Sequence, residues 1–384
     1  MIGGLLVSSG GADAFANAMI SAGGRKYVPW TIFFAAFLIG LPLFFEVGFV
    51  LLVPLAFVIA KKMDAPVLSV GLPMLAGLSI AHGMTPPHPA PTLAVATFHA
   101  DAGKTILYAL VIGLPAGLIS GPVFAAVAAK FFGLRRAIGK TTDQGPHISP
   151  AEEIIAVTAE TAHRTPSLGG VILVILLPPI LMMGRSFADL SLPQGPMKAA
   201  FDLIGNPIVA LFITVVVAVF VLGVRLGENL DEIQRTLNKS LEPIAAVVLI
   251  VGAGGGFKEV LLETKIADAI GQWAAHAHLS PLVLAWTAAA VVRVATGSAT
   301  VATITGAGIV APLIQNDTTV NRELLVLATG SGSLILSHVN DAGFWLVKEF
   351  FGLTVAETFK YWTTMETLLS ILGLAGVLLA NLIV

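Results

Sequence analysis

His82-Gly83-Met84-Thr85-Pro86-Pro87-His88-Pro89-Ala90-Pro91-Thr92 is the stretch on which the fold turns. Four prolines fall within the six residues 86–91. Proline has no backbone N–H and its ring clashes with the preceding turn, so no continuous helix passes through. Yet the flanking residues of 66–100 are mostly apolar. The pattern predicts a broken helix that stops near His82 and restarts near Thr92. The restart offers free N–H groups and the positive end of a helix dipole, both of which attract an anion.

Whether such a break matters depends on the solvent. Of the 384 residues, 56% are hydrophobic and 11% are charged, and the mean hydropathy is +0.90. A soluble domain carries about 25% charged residues, so this chain cannot dress a water-facing surface. The run from Lys104 to Lys130 has no charge between its ends and is long enough to cross a bilayer of ~30 Å as a helix. The alternating segments of an outer-membrane barrel are absent. The expected class is an all-α polytopic membrane protein. At membrane depth, backbone freed from a helix is tolerated only inside protein or beside a water-filled cavity, so the break marks a candidate site.

Composition also excludes. With no cysteine, disulfides, thiolate metal sites and cysteine nucleophiles are ruled out. Residues 1–24 lack the basic start and continuous apolar core of a secretory signal. No basic patch suits a nucleic acid. Neither a cofactor nor a metal is expected.

A shift of 256 positions lays the chain on itself: Trp30-Thr31 falls on Trp286-Thr287 and His82 on His338. A shift of 255 places Ala12-Asp13-Ala14 on Ala267-Asp268-Ala269. The order of elements repeats as well. Each half shows an apolar stretch with a central break, then a broken helix with a polar His-containing segment, then an uninterrupted closing helix (104–130 and 362–383). Interrupted segments at matching places in two halves point to a transporter's binding site.

The first interrupted stretch, 29–60, has Glu46 as its only charge and basic flanks at Arg25-Lys26 and Lys61-Lys62. It is too short for two crossings of ~20 residues each, so it reads as a re-entrant hairpin with arms 29–43 and 47–60 and Glu46 near the tip. The second, 281–314, breaks at Ala295-Thr296-Gly297-Ser298-Ala299-Thr300. Small hydroxyl residues there suit a ligand, and equally suit tight helix packing in a membrane. Arg293, one turn earlier, is costly at membrane depth; it is open whether it meets a substrate carboxylate or holds a structural one. The second broken helix, 322–352, breaks at Ser337-His338-Val339-Asn340-Asp341-Ala342-Gly343. Asn340 and Asp341 suit a helix cap, and intramembrane Asp, Glu and His build proton relays.

The chain is thus expected to divide into a first repeat (1–130), a basic and therefore cytoplasmic loop (131–166), and a second, inverted repeat (167–384). The second copy carries helices at 168–185 and 207–224 and a segment at 243–262, whose first-copy counterparts would precede Met1. The first repeat is therefore expected to lack its opening helices, with a start upstream of this one.

With these residues in hand, the chain resembles the gluconate permeases, a branch of the ion transporter superfamily. The resemblance covers essentially the whole chain. Its stretches are Phe44-Phe45-Glu46-Val47-Gly48-Phe49, residues 82–92, Gly252-Ala253-Gly254-Gly255-Gly256-Phe257-Lys258, Gly297-Ser298-Ala299-Thr300-Val301-Ala302 and Ser337 to Leu346. Ala90 stands where that family tends to have Gly, and Met84 where it has a bulkier residue. The resemblance implies uptake of a gluconate-like organic anion with protons, in a multi-pass protein of the bacterial cytoplasmic (inner) membrane. It also implies a homodimer embedded in membrane lipid, in which 29–100 and 281–352 slide against a scaffold. Other branches take small hydroxy acids or D-serine.

The candidate substrate-binding residues are His82, Thr85, His88 and Thr92 of the first break, Gly297, Ser298 and Thr300 of the second tip, and Ser337, His338, Asn340 and Asp341 of the second break. The expected arrangement holds the carboxylate between the restarts near Thr92 and Asp341 and the hydroxyls of Ser298 and Thr300. Asn340, Ser337 and His338 would read its hydroxyl groups. Glu46 and Asp341 are the candidate proton carriers, with a histidine as relay. A sodium-coupled carboxylate symporter is the nearest alternative, because broken helix ends also hold sodium. An intramembrane enzyme with Ser298, His338 and Asp341 as a triad lacks any accompanying nucleophile-elbow or metalloprotease pattern.

Overall fold

A computed structural model describes residues 1–131, 166–239 and 280–384, apart from positions 316 and 318. Among the described residues every regular element is helical. Most of the basic loop 131–166, the segment 243–262, the repeat landmark Ala267-Asp268-Ala269 and the glycine-rich motif 252–258 lie outside them.

The chain opens with α1 (Ile2–Ser8), then α2 (Gly11–Gly40) and α3 (Phe45–Met63). Next come α4 (Leu68–Met84), α5 (Pro89–Phe98) and α6 (Ala102–Phe131). The middle holds α7 (Leu168–Ser191), α8 (Pro196–Ile204), α9 (Ile208–Leu226) and α10 (Leu230–Lys239). The last stretch holds α11 (Pro281–Thr296), α12 (Ala299–Val310), α13 (Arg322–Gly332), α14 (Ala342–Phe350) and α15 (Val355–Ala380).

Among the described residues five spans are long and apolar enough to cross a membrane: Leu68–Phe98 with its interruption, α6, Leu168–Arg185, α9 and α15. The arms α11 and α12, of 16 and 12 residues, are shorter than the ~20 residues a crossing needs. Leu68–Phe98 is almost wholly enclosed by protein, whereas Leu168–Arg185 and α9 expose most of their apolar surface. An apolar side chain facing lipid loses nothing by exposure, so the buried span is the one whose broken backbone needs protein around it.

The first break is shorter than its sequence suggests. Helix α4 runs on to Met84, and α5 restarts at Pro89, not near Thr92. Pro at the first helical position is pre-set for the turn and its missing N–H was an orphan anyway. The second break is longer. Helix α13 ends at Gly332, so the irregular stretch runs from Ser333 to Asp341. The hydroxyls of Ser331 and Ser333 donate back to the carbonyls of Ala328 and Gly330 at 2.9 and 2.7 Å, offering the backbone an alternative to helix continuation.

Two further expectations change. The first arm does not begin at residue 29: α2 runs unbroken from Gly11 through Pro29. The closing helices are not uninterrupted α-helix. Helix α6 contains π turns at Ala109–Gly113 and Ile119–Val123, beside Pro115 and Pro122, and α15 has one at Phe359–Thr363. A proline inside a helix removes one ladder bond, and a single wide turn absorbs the defect without ending the helix.

The two halves meet at the broken helices. A Cβ added to Gly330 of α13 would lie 2.2 Å from the carbonyl oxygen of Gly83. Only glycine lets α4 and α13 touch backbone to backbone there. Each broken helix also presses on the helix that precedes it in the same part of the chain, α4 on α2 and α13 on α11. Gly77 lies against the Phe33 carbonyl and Gly332 against the Trp286 carbonyl.

Candidate functional site

Helix α11 ends because Gly297 adopts φ +75°, and its N–H closes on the Arg293 carbonyl at 2.8 Å. Ser298 is extended and caps α12, its Oγ accepting from Val301 N at 3.3 Å. Across from this tip Asp341 caps α14, its Oδ1 accepting from Gly343 N at 2.9 Å. The tip and the break interlock. A Cβ on Gly297 would meet the Asn340 carbonyl at 2.2 Å, and Asn340 Nδ2 donates to the Val294 carbonyl at 2.9 Å.

Arg293 joins them electrostatically. It is 4% exposed. Its Nη2 donates to Asp341 Oδ2 at 2.5 Å and its Nη1 donates to the Gly297 carbonyl. Asp341 Oδ2 also accepts from Ser337 Oγ, which itself accepts from Trp362 Nε1 at 2.6 Å. Arg293 therefore pairs with a carboxylate of the protein.

These elements wall a cavity of about 480 Å³, within the ~300–1,000 Å³ of small-molecule sites. Its lining includes Phe44 to Val47 of the first tip and Ser79 and His82 of α4. It also includes Arg293, Thr296 to Thr300, Leu334, Asn340 to Gly343, and Trp362 and Glu366 of α15. Three helix N-termini, those of α3, α12 and α14, open on it. Their dipoles favour negative charge; α3 and α14 already place Glu46 and Asp341 there, and the start of α12, capped only at Val301 N by Ser298, is left for a guest.

Of the residues singled out from sequence, Glu46, His82, Gly297, Ser298, Thr300, Asn340 and Asp341 line this cavity. The others do not. Thr85 is buried and its hydroxyl donates to the Ile80 carbonyl at 3.2 Å. His88 lies behind His82, with Nε2 3.2 Å from His82 Nδ1, and faces a separate apolar cavity beside α7 and α9. Thr92 sits in the first turn of α5, away from the cavity, and its buried hydroxyl has no partner among the described residues. The α5 restart is a poor anion site because Pro89 and Pro91 bring no N–H, and Thr92 N already bonds the His88 carbonyl at 3.0 Å. Ser337 is buried and orients Asp341. His338 has Nε2 3.2 Å from the Val294 carbonyl and no hydrogen bond to Ser298 or Asp341, so no triad exists.

Four lining residues lie outside the motifs read from sequence: Ser79, Leu334, Trp362 and Glu366. The signal for Glu366 was available, since it is the one acid between Tyr361 and Val384. Apolar length marks that helix as a span, and the single charge within it marks a site residue.

Among the described residues, five apolar spans together with a cavity lined by interrupted helices and carrying charged and hydroxyl groups define an integral membrane transporter. The comparisons with known proteins narrow this. The chain belongs to the GntP permease family, whose profile, "GntP family permease", matches residues 1–383. It is 50% identical over 384 residues to "Gluconate permease" of Pseudomonas aeruginosa, covering 100% of this chain and 83% of that protein. To "High-affinity gluconate transporter" of Escherichia coli it is 42% identical over 385 residues, covering 100% and 84%. It is 42% identical, with 99% and 83% covered, to "Gnt-II system L-idonate transporter" of the same organism. These relatives are permeases and transporters, and the chain is a permease, not an enzyme.

Proposed function

We propose that this permease imports gluconate or a closely related sugar acid across the bacterial cytoplasmic membrane, together with protons. The observation that carries the reading is the cavity onto which three helix N-termini open. It offers an anion fixed N–H donors at one end and hydroxyl and amide groups beside them. The names of its relatives agree in substrate class, gluconate in two and L-idonate in one.

In this reading the substrate carboxylate sits at the start of α12, on its free N–H groups and the hydroxyls of Ser298 and Thr300. Asn340 donates to Val294, so its Oδ1 remains to accept from a substrate hydroxyl. Asp341 stays the counter-ion of Arg293. Glu46, exposed in the first turn of α3, faces the cavity as an acid that passes protons between water and the site, and His82 and His88 form a relay behind it. The short arms α11 and α12 support a re-entrant hairpin that does not cross, and the matched contacts of Gly77 and Gly332 support two repeats. Residues 29–100 and 281–352 then move as a transport unit against a scaffold of the continuous spans, in a homodimer.

The test is uptake of labelled gluconate by a transport-deficient bacterial strain expressing the chain. Accumulation that an uncoupler abolishes, that persists without sodium and that unlabelled gluconate or L-idonate competes is expected. Uptake that needs sodium, or that ignores the uncoupler, would overturn the proton coupling. Competition by D-serine alone would overturn the substrate.

A further inference from the structure

Glu366 is the most enclosed acid of the cavity, at 1% exposure. It lies on α15, just after the π turn Phe359–Thr363. Its one hydrogen-bond partner among the described residues is Ser79 of α4, whose Oγ donates to Oε1. No lysine, arginine or histidine among the described residues forms an ion pair with it. An unpaired carboxylate buried from water is costly, and more so at membrane depth. Resting on the proton-symport reading, we infer that Glu366 carries the co-transported proton.

The surroundings fit that task better than those of the other acids. Asp341 has an arginine, a serine and a backbone N–H to stabilise its charge. Glu46 is exposed at a helix N-terminus, where charge is favoured. The groups facing Glu366 are Arg293 from α11, Asp341 before α14, His82 from α4 and, across the cavity, Glu46 from α3. Helices α6, α13 and α14 also pack on α15, but their charges, Lys104, Lys130, Arg322, Glu323, Lys348 and Glu349, lie at their ends.

The charge balance closes with one proton per substrate. Arg293 and Asp341 cancel each other in every state, and Glu46 begins and ends each crossing in the same state, so it drops out of the count. On the outer side the Glu366 carboxylate takes a proton from water and becomes a neutral acid, and the substrate anion binds beside it. The loaded site carries the substrate's single negative charge. On the inner side both leave, the proton going to water, and the returning site carries the single negative charge of Glu366. Neither crossing moves more charge than the other.

The experiment compares wild type with Glu366→Gln in proteoliposomes, by two readouts. Glutamine keeps the shape and accepts the Ser79 hydrogen bond, but it cannot release a proton. Counterflow of labelled gluconate between equal-pH compartments needs no net proton movement and is expected to survive. Accumulation driven by a pH gradient, and the proton uptake that accompanies substrate addition, are expected to be lost. Glu366→Asp is expected to restore part of both. Proton-coupled accumulation by E366Q would overturn the assignment while leaving the symport reading intact. So would loss of counterflow in an E366Q protein that still elutes as a folded peak, since Glu366 would then serve binding. A wild-type chain that exchanges gluconate without moving protons overturns the symport and this inference together. If E366Q fails to fold, Ser79→Ala decides: it is expected to shift the pH profile of accumulation while counterflow remains, and an unmoved profile overturns the inference.

Discussion

Arg293 Nη2 stands 2.5 Å from Asp341 Oδ2, and this one ion pair fastens the tip between α11 and α12 to the restart of α14. Both partners are largely enclosed, at 4% and 13% exposure. Removing one partner of a buried pair leaves the other charge unpaired, at a cost of about 3–5 kcal/mol. Asp341→Asn keeps the size of the cap and removes the charge. The expected outcome is a lower unfolding temperature in detergent and loss of uptake. Adding Arg293→Gln should recover much of the stability but not the uptake, because the stranded charge is gone while the tip is no longer held. Thermal unfolding followed by size-exclusion chromatography reads the first effect, and radiolabel uptake the second. An Asp341→Asn protein as stable as wild type would mean that the pair is solvent-screened.

Gly297 is where the tip has no room to spare. Its φ of +75° is the left-handed region, and a Cβ would lie 2.2 Å from the Asn340 carbonyl. The conformation alone costs a residue with a Cβ about 1–2 kcal/mol, and the clash forces Asn340 away. Gly297→Ala is therefore expected to fold with reduced yield and to lose uptake out of proportion to that yield. Uptake per molecule of membrane-inserted protein, at several gluconate concentrations, checks it. The displaced Asn340 should show as a raised KM before any fall in maximal rate.

The parts of this architecture legible in sequence are those written in local chemistry. Four prolines between residues 86 and 91 forbid a helix wherever they stand. Gly297 and Ser298 announce a helix stop and a cap within two positions. The sequence pattern starts the first arm at residue 29, whereas α2 carries Pro29 inside a helix that begins at Gly11. Proline weakens a helix but packing decides whether it ends. The π turns of α6 follow the same logic at Pro115 and Pro122. What stayed hidden was tertiary. Arg293 could have met substrate or protein, and its partner lies 48 positions away. Glu366 finds Ser79 across 287 positions, so nothing near it in the chain shows that it is enclosed or that it faces the cavity.

Ser298 has two roles that one pair of substitutions separates. Its hydroxyl caps α12 and it lines the cavity. Losing a cap of this kind costs about 0.5–2 kcal/mol. Ser298→Ala should lower stability by that order and raise the KM for gluconate. Ser298→Asn replaces the cap with another good one but changes what the cavity offers. It should restore stability while the KM stays high. If Ser298→Asn restored the KM as well, capping alone would account for the residue.

The chain from Trp362 through Ser337 to Asp341 and Arg293 gives the last prediction. Trp362 Nε1 donates to Ser337 Oγ at 2.6 Å, and Ser337 donates to Asp341. The indole ring also packs on Phe45 at 5.5 Å between centroids, so it links α15 to the first tip. Trp362→Phe keeps much of the ring and removes only the donor. Such a hydrogen bond contributes about 0.5–1.5 kcal/mol, and Ser337→Ala should cost at least as much because it also removes a donor to the carboxylate. Residues in one network are not additive. The double variant Trp362→Phe with Ser337→Ala should therefore cost clearly less than the two single losses added, both in unfolding temperature and in uptake. A strictly additive double variant would mean that Trp362 supports the site through its ring contact with Phe45 alone. The orientation of Asp341 would then depend on Arg293 and the α14 cap, with nothing transmitted from α15.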